Sequence, residues 1–333
     1  MSPDLALRRR VFWVVLAGTA VCVAAAHWLE ARLSYDVGNA KYMRHGSFGA
    51  ALGRYPTSAV SARTVCILGN SVYQNHRIVP VMERLAREER RPVRFINLAL
   101  TGAGISDYVV QAALAARHRP DLLVICLAEC TFLPLGPKFR SDIDQQAFEP
   151  TVLAAVPWSY YGRHFTLASA GSSIVASIFP LARLDPVLRN RLTHMDVFPT
   201  MLARHIHFPH LNLVADFRRR ARQRGQPVVG GNWPELPPAP DYLRTLDELL
   251  AVLERGGVPT LFLWQENRPT RYSQEIRAPV LGRIAACPIA TVADFSGQWS
   301  AENFKDMIHP VPRHRETYAR RHYQAICGVL DRL

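Results

Sequence analysis

Cysteine is scarce, six in 333 residues, and the six do not make up the paired spacings of a zinc site. A chain of this length with so few thiols is not a disulfide-stapled scaffold. Cys22 lies in an apolar stretch near the amino end, while Cys66 and Cys126 fall inside apolar runs where a thiol behaves as a small hydrophobe. No internal repeat and no low-complexity tract is present, which excludes repeat arrays. Acids are also in deficit: 27 Asp and Glu against 40 Lys and Arg give a net charge of +13. What remains is a sequence that is 49% hydrophobic and 20% charged, able to bury a full core as one elaborated domain.

The longest uncharged apolar run is Val11 to Ala26, preceded by Arg8, Arg9 and Arg10. Continued as a helix through Leu29 at 1.5 Å per residue, it approaches the hydrocarbon thickness of about 30 Å. Basic residues on its amino side predict a single-pass anchor in the inner or plasma membrane, with everything after about residue 33 extracytoplasmic, that is, periplasmic. Two other readings stand beside it: a cleaved signal ending near Ala24-Ala25-Ala26, and a buried core helix. The first 33 residues hold four arginines and two acids, +2 of the +13, so the remainder carries +11. Such a basic field favours acidic polymers or anionic headgroups, and nucleic acid is a poor partner for an exported domain. Its densest cluster, Arg218, Arg219, Arg220, Arg222 and Arg224, is equally a solvated helix face.

After a connector over 34–63, apolar runs alternate with amphipathic stretches. Strands are predicted at Thr64–Leu68, Val93–Asn97, Leu122–Leu127, Val258–Trp264 and Ile289–Asp294, each apolar enough to be covered on both faces. Helices are predicted at Arg77–Glu89, Ser106–Arg117, Asp241–Arg255 and Arg313–Leu333. The alternation predicts a doubly wound α/β domain over 64–333. Roughly 130 residues separate the third strand from the fourth, against the dozen or so a parallel crossover needs, so an insertion occupies about 134–240. Helices are expected in it around Val152–Val156 and Ser173–Leu181.

Ligands in such sheets sit beyond the carboxyl ends of the strands. Ser71 follows the first strand, Gly102 the second, Glu129 the third, and Asp306 and His309 the fifth. A serine hydroxyl becomes nucleophilic when a histidine takes its proton and a carboxylate fixes the imidazole, and Ser71, His309 and Asp306 are the residue types for that task. At the first turn of a helix, Ser71 also has free backbone N–H groups nearby to receive developing negative charge. The plainer explanations are a helix cap for Ser71, a surface imidazole for His309 and a turn residue for Asp306. His205, His207 and His210 are spaced loosely like metal ligands, but no carboxylate pattern accompanies them and Pro209 argues for a loop, so neither metal nor cofactor is expected. Trp158, Tyr160 and Tyr161 read either as packing of the insertion or as a platform for sugar rings.

The segments TVCILGNS, NLALTGAG and DFSGQWSAENFKDMIHPVPRHRETYA resemble the first, second and fifth sequence blocks of the SGNH (GDSL-type) hydrolase superfamily, in order. The likeness covers about residues 64–130 and 241–333, and its most specific element is Asp306-x-x-His309. The resemblance implies a flavodoxin-like parallel five-stranded sheet, with Ser71 as nucleophile, His309 as general base and Asp306 as its orienting partner. It also implies an oxyanion hole from the N–H groups of Ser71 and Gly102. Two departures stand out. Asn70 replaces the usual aspartate of the first block, and the third-block asparagine, a side-chain oxyanion donor, is absent from CLAECTF. Glu129 in that place would repel an oxyanion unless burial raised its pKa, leaving Asn75 or Thr131 as substitutes.

With its amino-terminal membrane segment, the chain is similar to the extracytoplasmic acyl-transfer proteins of envelope glycans, such as alginate O-acetyltransferase components and the D-alanyl-lipoteichoic acid transfer protein. That resemblance implies a serine acyltransferase or esterase acting on O-acyl groups of an exported polysaccharide, beside a multi-pass membrane O-acyltransferase. The substrate would be a glycan or an acylated small molecule. A non-catalytic glycan-binding or assembly protein on the same fold is the alternative reading.

Overall fold

The computed structural model describes residues 12–22, 24–25, 62–75, 78–99, 103–133, 147–168, 170–171, 174, 228–229, 233–234, 237–268, 270, 272–305 and 307–333. Five strands form a parallel sheet: β1 (Arg63–Leu68), β2 (Val93–Asn97), β3 (Leu122–Leu127), β6 (Thr260–Trp264) and β7 (Ala290–Asp294). Its order is β2-β1-β3-β6-β7. The intervening β4 (Val228–Val229) and β5 (Trp233–Pro234) pair only with each other, antiparallel. The chain moves outward on one side of β1 and then on the other, so a crevice opens at the carboxyl ends of β1 and β3, where the order reverses.

Side chains alternate across the sheet as a two-residue period requires. Cys66, Leu68, Leu123, Ile125, Leu127, Phe262 and Trp264 face one core, covered by α3 (Ile105–Ala116) and α6 (Tyr242–Gly256). The helices α4 (Pro150–Ala155), α5 (Trp158–His164) and α7 (Ser273–Ala285) complete that layer. Val65, Ile67, Leu122, Val124, Cys126, Leu261 and Leu263 face the other core. That face is covered by α1 (Ser71–Asn75), α2 (Ile78–Glu88) and α8 (Arg315–Leu330). The three central strands are therefore closed on both faces, and each large aliphatic side chain there contributes about 1.5–3 kcal/mol. The outer strands differ from the expectation: β7 is half-buried throughout and β2 at three of five positions, because an edge strand is flanked by a neighbour on one side only.

Several bounds also shift. The helix expected over Arg77–Glu89 is α2, and Ser71 heads a separate short helix, α1. The final helix starts at Arg315, after a 3-10 turn over Pro312–His314. Within the insertion, α4 matches the helix expected near Val152, while 175–181 lies outside the described residues. Tyr160 and Tyr161 are buried, while Trp158 is 74% exposed and touches this packing only through the Tyr161 ring, at a centroid distance of 5.5 Å. The insertion is fastened by Arg163, which pairs with Asp241 at 2.8 Å and with buried Glu248. Residues 12–22 and 24–25 are helical with exposed side chains, and among the described residues no helix is long and apolar enough to cross a membrane. The span expected from 11 to 29 extends beyond those residues. The arginine cluster at 218–224 and the histidines at 205, 207 and 210 also lie outside them.

The two ends of the α/β unit are stitched together. The Arg63 guanidinium donates to the Leu330 carbonyl, Arg91 pairs with Asp331 at 2.7 Å, and the Tyr323 hydroxyl donates to Glu89 at 2.8 Å.

Two outcomes test this packing. A Cβ built on Gly256 would sit 2.9 Å from the Ala116 Cβ, where α6 ends against α3. Gly256→Ala should therefore lose about 1–3 kcal/mol in urea unfolding, with part restored by adding Ala116→Gly. At Asp294, burial opposes ionisation, but hydrogen bonds from Arg277 and Ser296 outweigh it and hold the carboxyl below its ordinary range. A lowered pKa gives stability that is present above the ordinary carboxylate value and lost as pH falls through the lowered one. Asp294→Asn should thus be less stable than wild type at neutral pH, with the gap closing in acid, read as Tm against pH.

Candidate active site

The first turn after β1 is built tightly. A Cβ on Gly69 would lie 3.3 Å from the Tyr73 ring and 3.4 Å from the Cβ atoms of Ala99 and Cys126, so the backbone runs close against its neighbours. Asn70, almost fully buried, accepts from the Val72 N–H at 3.0 Å through Oδ1 and donates to Gln265 Oε1 at 3.4 Å. The Asn70 oxygen thereby satisfies one of the free N–H groups of the α1 turn. Ser71 is left at the head of α1, 8% exposed, facing the crevice.

His309 arrives from the loop after β7. That loop is closed on itself: Lys305 N–H donates to the His309 carbonyl at 2.8 Å, Val311 N–H to Asn303 at 2.9 Å, and Phe304 and Pro310 form an antiparallel bridge. Met307 and Ile308 are buried and anchor it in the core. Pro310 restricts the residue before it to extended backbone, which limits how the imidazole can swing. The result is a contact of 2.7 Å between Ser71 Oγ and His309 Nε2, across 238 residues of sequence. Asp306 and Gly102 lie outside the described residues.

Glu129 heads a 3-10 turn over Glu129–Phe132 directly after β3 and is 3% exposed. Its carboxylate does not stand open to the crevice. Oε1 accepts from Asn267 Nδ2 at 2.9 Å and from the Ser273 hydroxyl, and Oε2 accepts from the Thr270 hydroxyl at 2.6 Å. Side-chain donors thus meet both of its oxygens. Thr131 is likewise engaged: its hydroxyl oxygen accepts from Ala128 N–H at 3.1 Å, and it hydrogen-bonds Tyr108. Asn75 closes α1, and its side chain lies outside the described residues.

Sequence reasoning missed the loop that joins these parts. Directly after β6 come Gln265, Glu266 and Asn267, all three buried. Gln265 receives Asn70, Glu266 receives Arg321 and His322, and Asn267 donates to Glu129. Arg268 N–H then donates to the Met307 carbonyl at 2.8 Å, tying the loop to the histidine segment. The available signal was position: three polar residues at the carboxyl end of a central strand, where site residues gather.

No protein-family model matches the chain, and no curated protein matches it. Among solved structures it is similar to one described as "Crystal Structure of TesA", at 13% identity and a TM-score of 0.36, over 79% of this chain and 97% of that one.

The Glu129 clamp is testable by an isosteric change. Glu129→Gln places an amide N–H₂ among three donors and leaves at least one without an acceptor, so it should cost about 1–3 kcal/mol in urea unfolding. Ser273→Ala removes one of three donors to Glu129 and also the acceptor of the Thr270 N–H at 2.7 Å, and should cost about 1–2 kcal/mol.

Proposed function

We propose that the chain is a serine acyltransferase or esterase of the SGNH type, with Ser71 as nucleophile and His309 as general base. The observation that carries this reading is the 2.7 Å contact between Ser71 Oγ and His309 Nε2. With Nε2 unprotonated, the Ser71 hydroxyl donates to it. Oγ attacks the acyl carbonyl carbon while its proton passes to Nε2, and collapse of the tetrahedral intermediate breaks the bond to the leaving oxygen, which takes that proton back. The acyl-serine is then attacked by an acceptor hydroxyl or by water, with His309 accepting and returning the proton as before. Asp306 orients the imidazole, and the N–H groups of Ser71 and Gly102 receive the oxyanion.

The acyl groups acted on are O-acyl substituents of an exported polysaccharide, and the domain is held at the membrane by its amino-terminal apolar run. What supports this is the +13 net charge, the arginines before Val11 and the block resemblance. A multi-pass O-acyltransferase is the expected partner. One observation favours the second reading, a non-catalytic glycan-binding protein of the same fold: position 129 offers no side-chain oxyanion donor, and its carboxylate is occupied elsewhere.

A fluorophosphonate probe decides between them. Wild type should be labelled at Ser71, Ser71→Ala should not be labelled, and His309→Ala should react at least about a hundredfold more slowly. Labelling that survives Ser71→Ala overturns the assignment. Mass analysis of products from an acyl donor with and without a glycan acceptor then separates transfer from hydrolysis.

A further inference from the structure

A second constellation of hydroxyl, imidazole and carboxylate lies beneath the first and has no part in the chemistry above. Tyr73, two residues after Ser71 on α1, hydrogen-bonds through its hydroxyl to His322 Nδ1. His322 Nε2 lies 3.0 Å from Glu266 Oε2, and Arg321 donates to Glu266 Oε1 at 3.1 Å. Tyr73, His322 and Glu266 are at most 1% exposed. The imidazole is held between the rings of Phe295 and Tyr318, at centroid distances of 4.8 and 4.2 Å.

Proton accounting gives this chain one direction. A carboxylate that already accepts from Arg321 accepts from His322 as well, which puts the imidazole proton on Nε2 and leaves Nδ1 as an acceptor. The Tyr73 hydroxyl can fill it, because burial pushes its pKa well above the ordinary value and keeps the proton in place. Phenol and imidazole each donate to the next group, and the chain ends on Glu266.

We propose that Tyr73, His322 and Glu266 form a positioning relay for the nucleophile: Glu266 fixes the His322 proton on Nε2, and Nδ1 then holds the Tyr73 hydroxyl and with it the short helix that presents Ser71. Five residues cannot hold a helix by themselves. Helix α1 is gripped from the same loop twice, at Asn70 by Gln265 and at Tyr73 through His322 by Glu266, while Asn97 Nδ2 donates to the Tyr73 carbonyl at 3.2 Å. A shift of Ser71 by a fraction of an ångström opens its contact with His309, so the relay is a device for reactivity as well as for folding. The role given to Ser71 rests on the function proposed above, and the arrangement of protons does not.

The test uses the full chain and two isosteric variants, Tyr73→Phe and Glu266→Gln. In ¹⁵N-histidine-labelled wild type at pH 7, long-range nitrogen–proton correlations should report His322 as the neutral Nε2–H tautomer. In Glu266→Gln, where the amide can donate to Nε2, the proton should move to Nδ1. A doubly protonated ring or an Nδ1–H tautomer in wild type overturns the proposal. Fluorophosphonate labelling of Ser71 should slow about tenfold in either variant and no further in the double variant, since both act through one chain. Losses that multiply to about a hundredfold overturn it. Should wild type resist the probe altogether, the catalytic reading fails instead, and amide exchange decides the relay: exchange at residues 72–75 must quicken in both variants, and unchanged exchange in Tyr73→Phe overturns it.

Discussion

The arrangement of the site depends on one short stretch of buried polarity, the Gln265-Glu266-Asn267 run that leaves the carboxyl end of β6. Three consecutive polar side chains in a largely apolar interior are tolerated only if each finds a partner, because an unpaired buried group costs about 1–3 kcal/mol. Each reaches in a different direction: Gln265 Oε1 toward the β1 turn, with its Nε2 left unpaired, Glu266 toward α8, Asn267 toward the 3-10 turn after β3. The backbone of the next residue reaches the histidine loop. Four segments far apart in the sequence are thereby referred to one strand end.

Seen this way, the residue at 129 has a different meaning from the one its position suggests. A carboxylate next to a developing oxyanion would be repulsive, and in a sequence read without coordinates that is the natural inference. In the folded chain the same carboxylate is an acceptor for Asn267, Thr270 and Ser273, so it gathers the loop between β6 and α7. Buried polar networks of this kind specify one arrangement strongly when every member is satisfied.

The sheet was legible in the sequence because its signal is local. Near-continuous apolar runs such as Leu122–Leu127 and Thr260–Trp264 have no amphipathic alternative, and the core that alternates across them follows from the two-residue period. Ser71 and His309 were legible because each sits beside a strand end and carries recognisable chemistry. The pairings of Glu129 and His322 were not, since they depend on partners 141 and 56 residues away, and no local pattern records a long-range hydrogen bond. The edge strands were overcalled for a related reason: hydrophobicity tells how much a strand can bury, and sheet position decides how much it does. Trp158 shows the converse, an aromatic side chain that the fold leaves open.

Arg63, stitched to Leu330, marks where the polypeptide enters the α/β unit: the amino end of β1, at the opposite pole of the sheet from Ser71. A strand of six residues is about 20 Å long. At Arg63 the backbone thus enters the unit at the pole of the sheet away from the crevice, and the mouth at the carboxyl ends of β1 and β3 is not crossed by it.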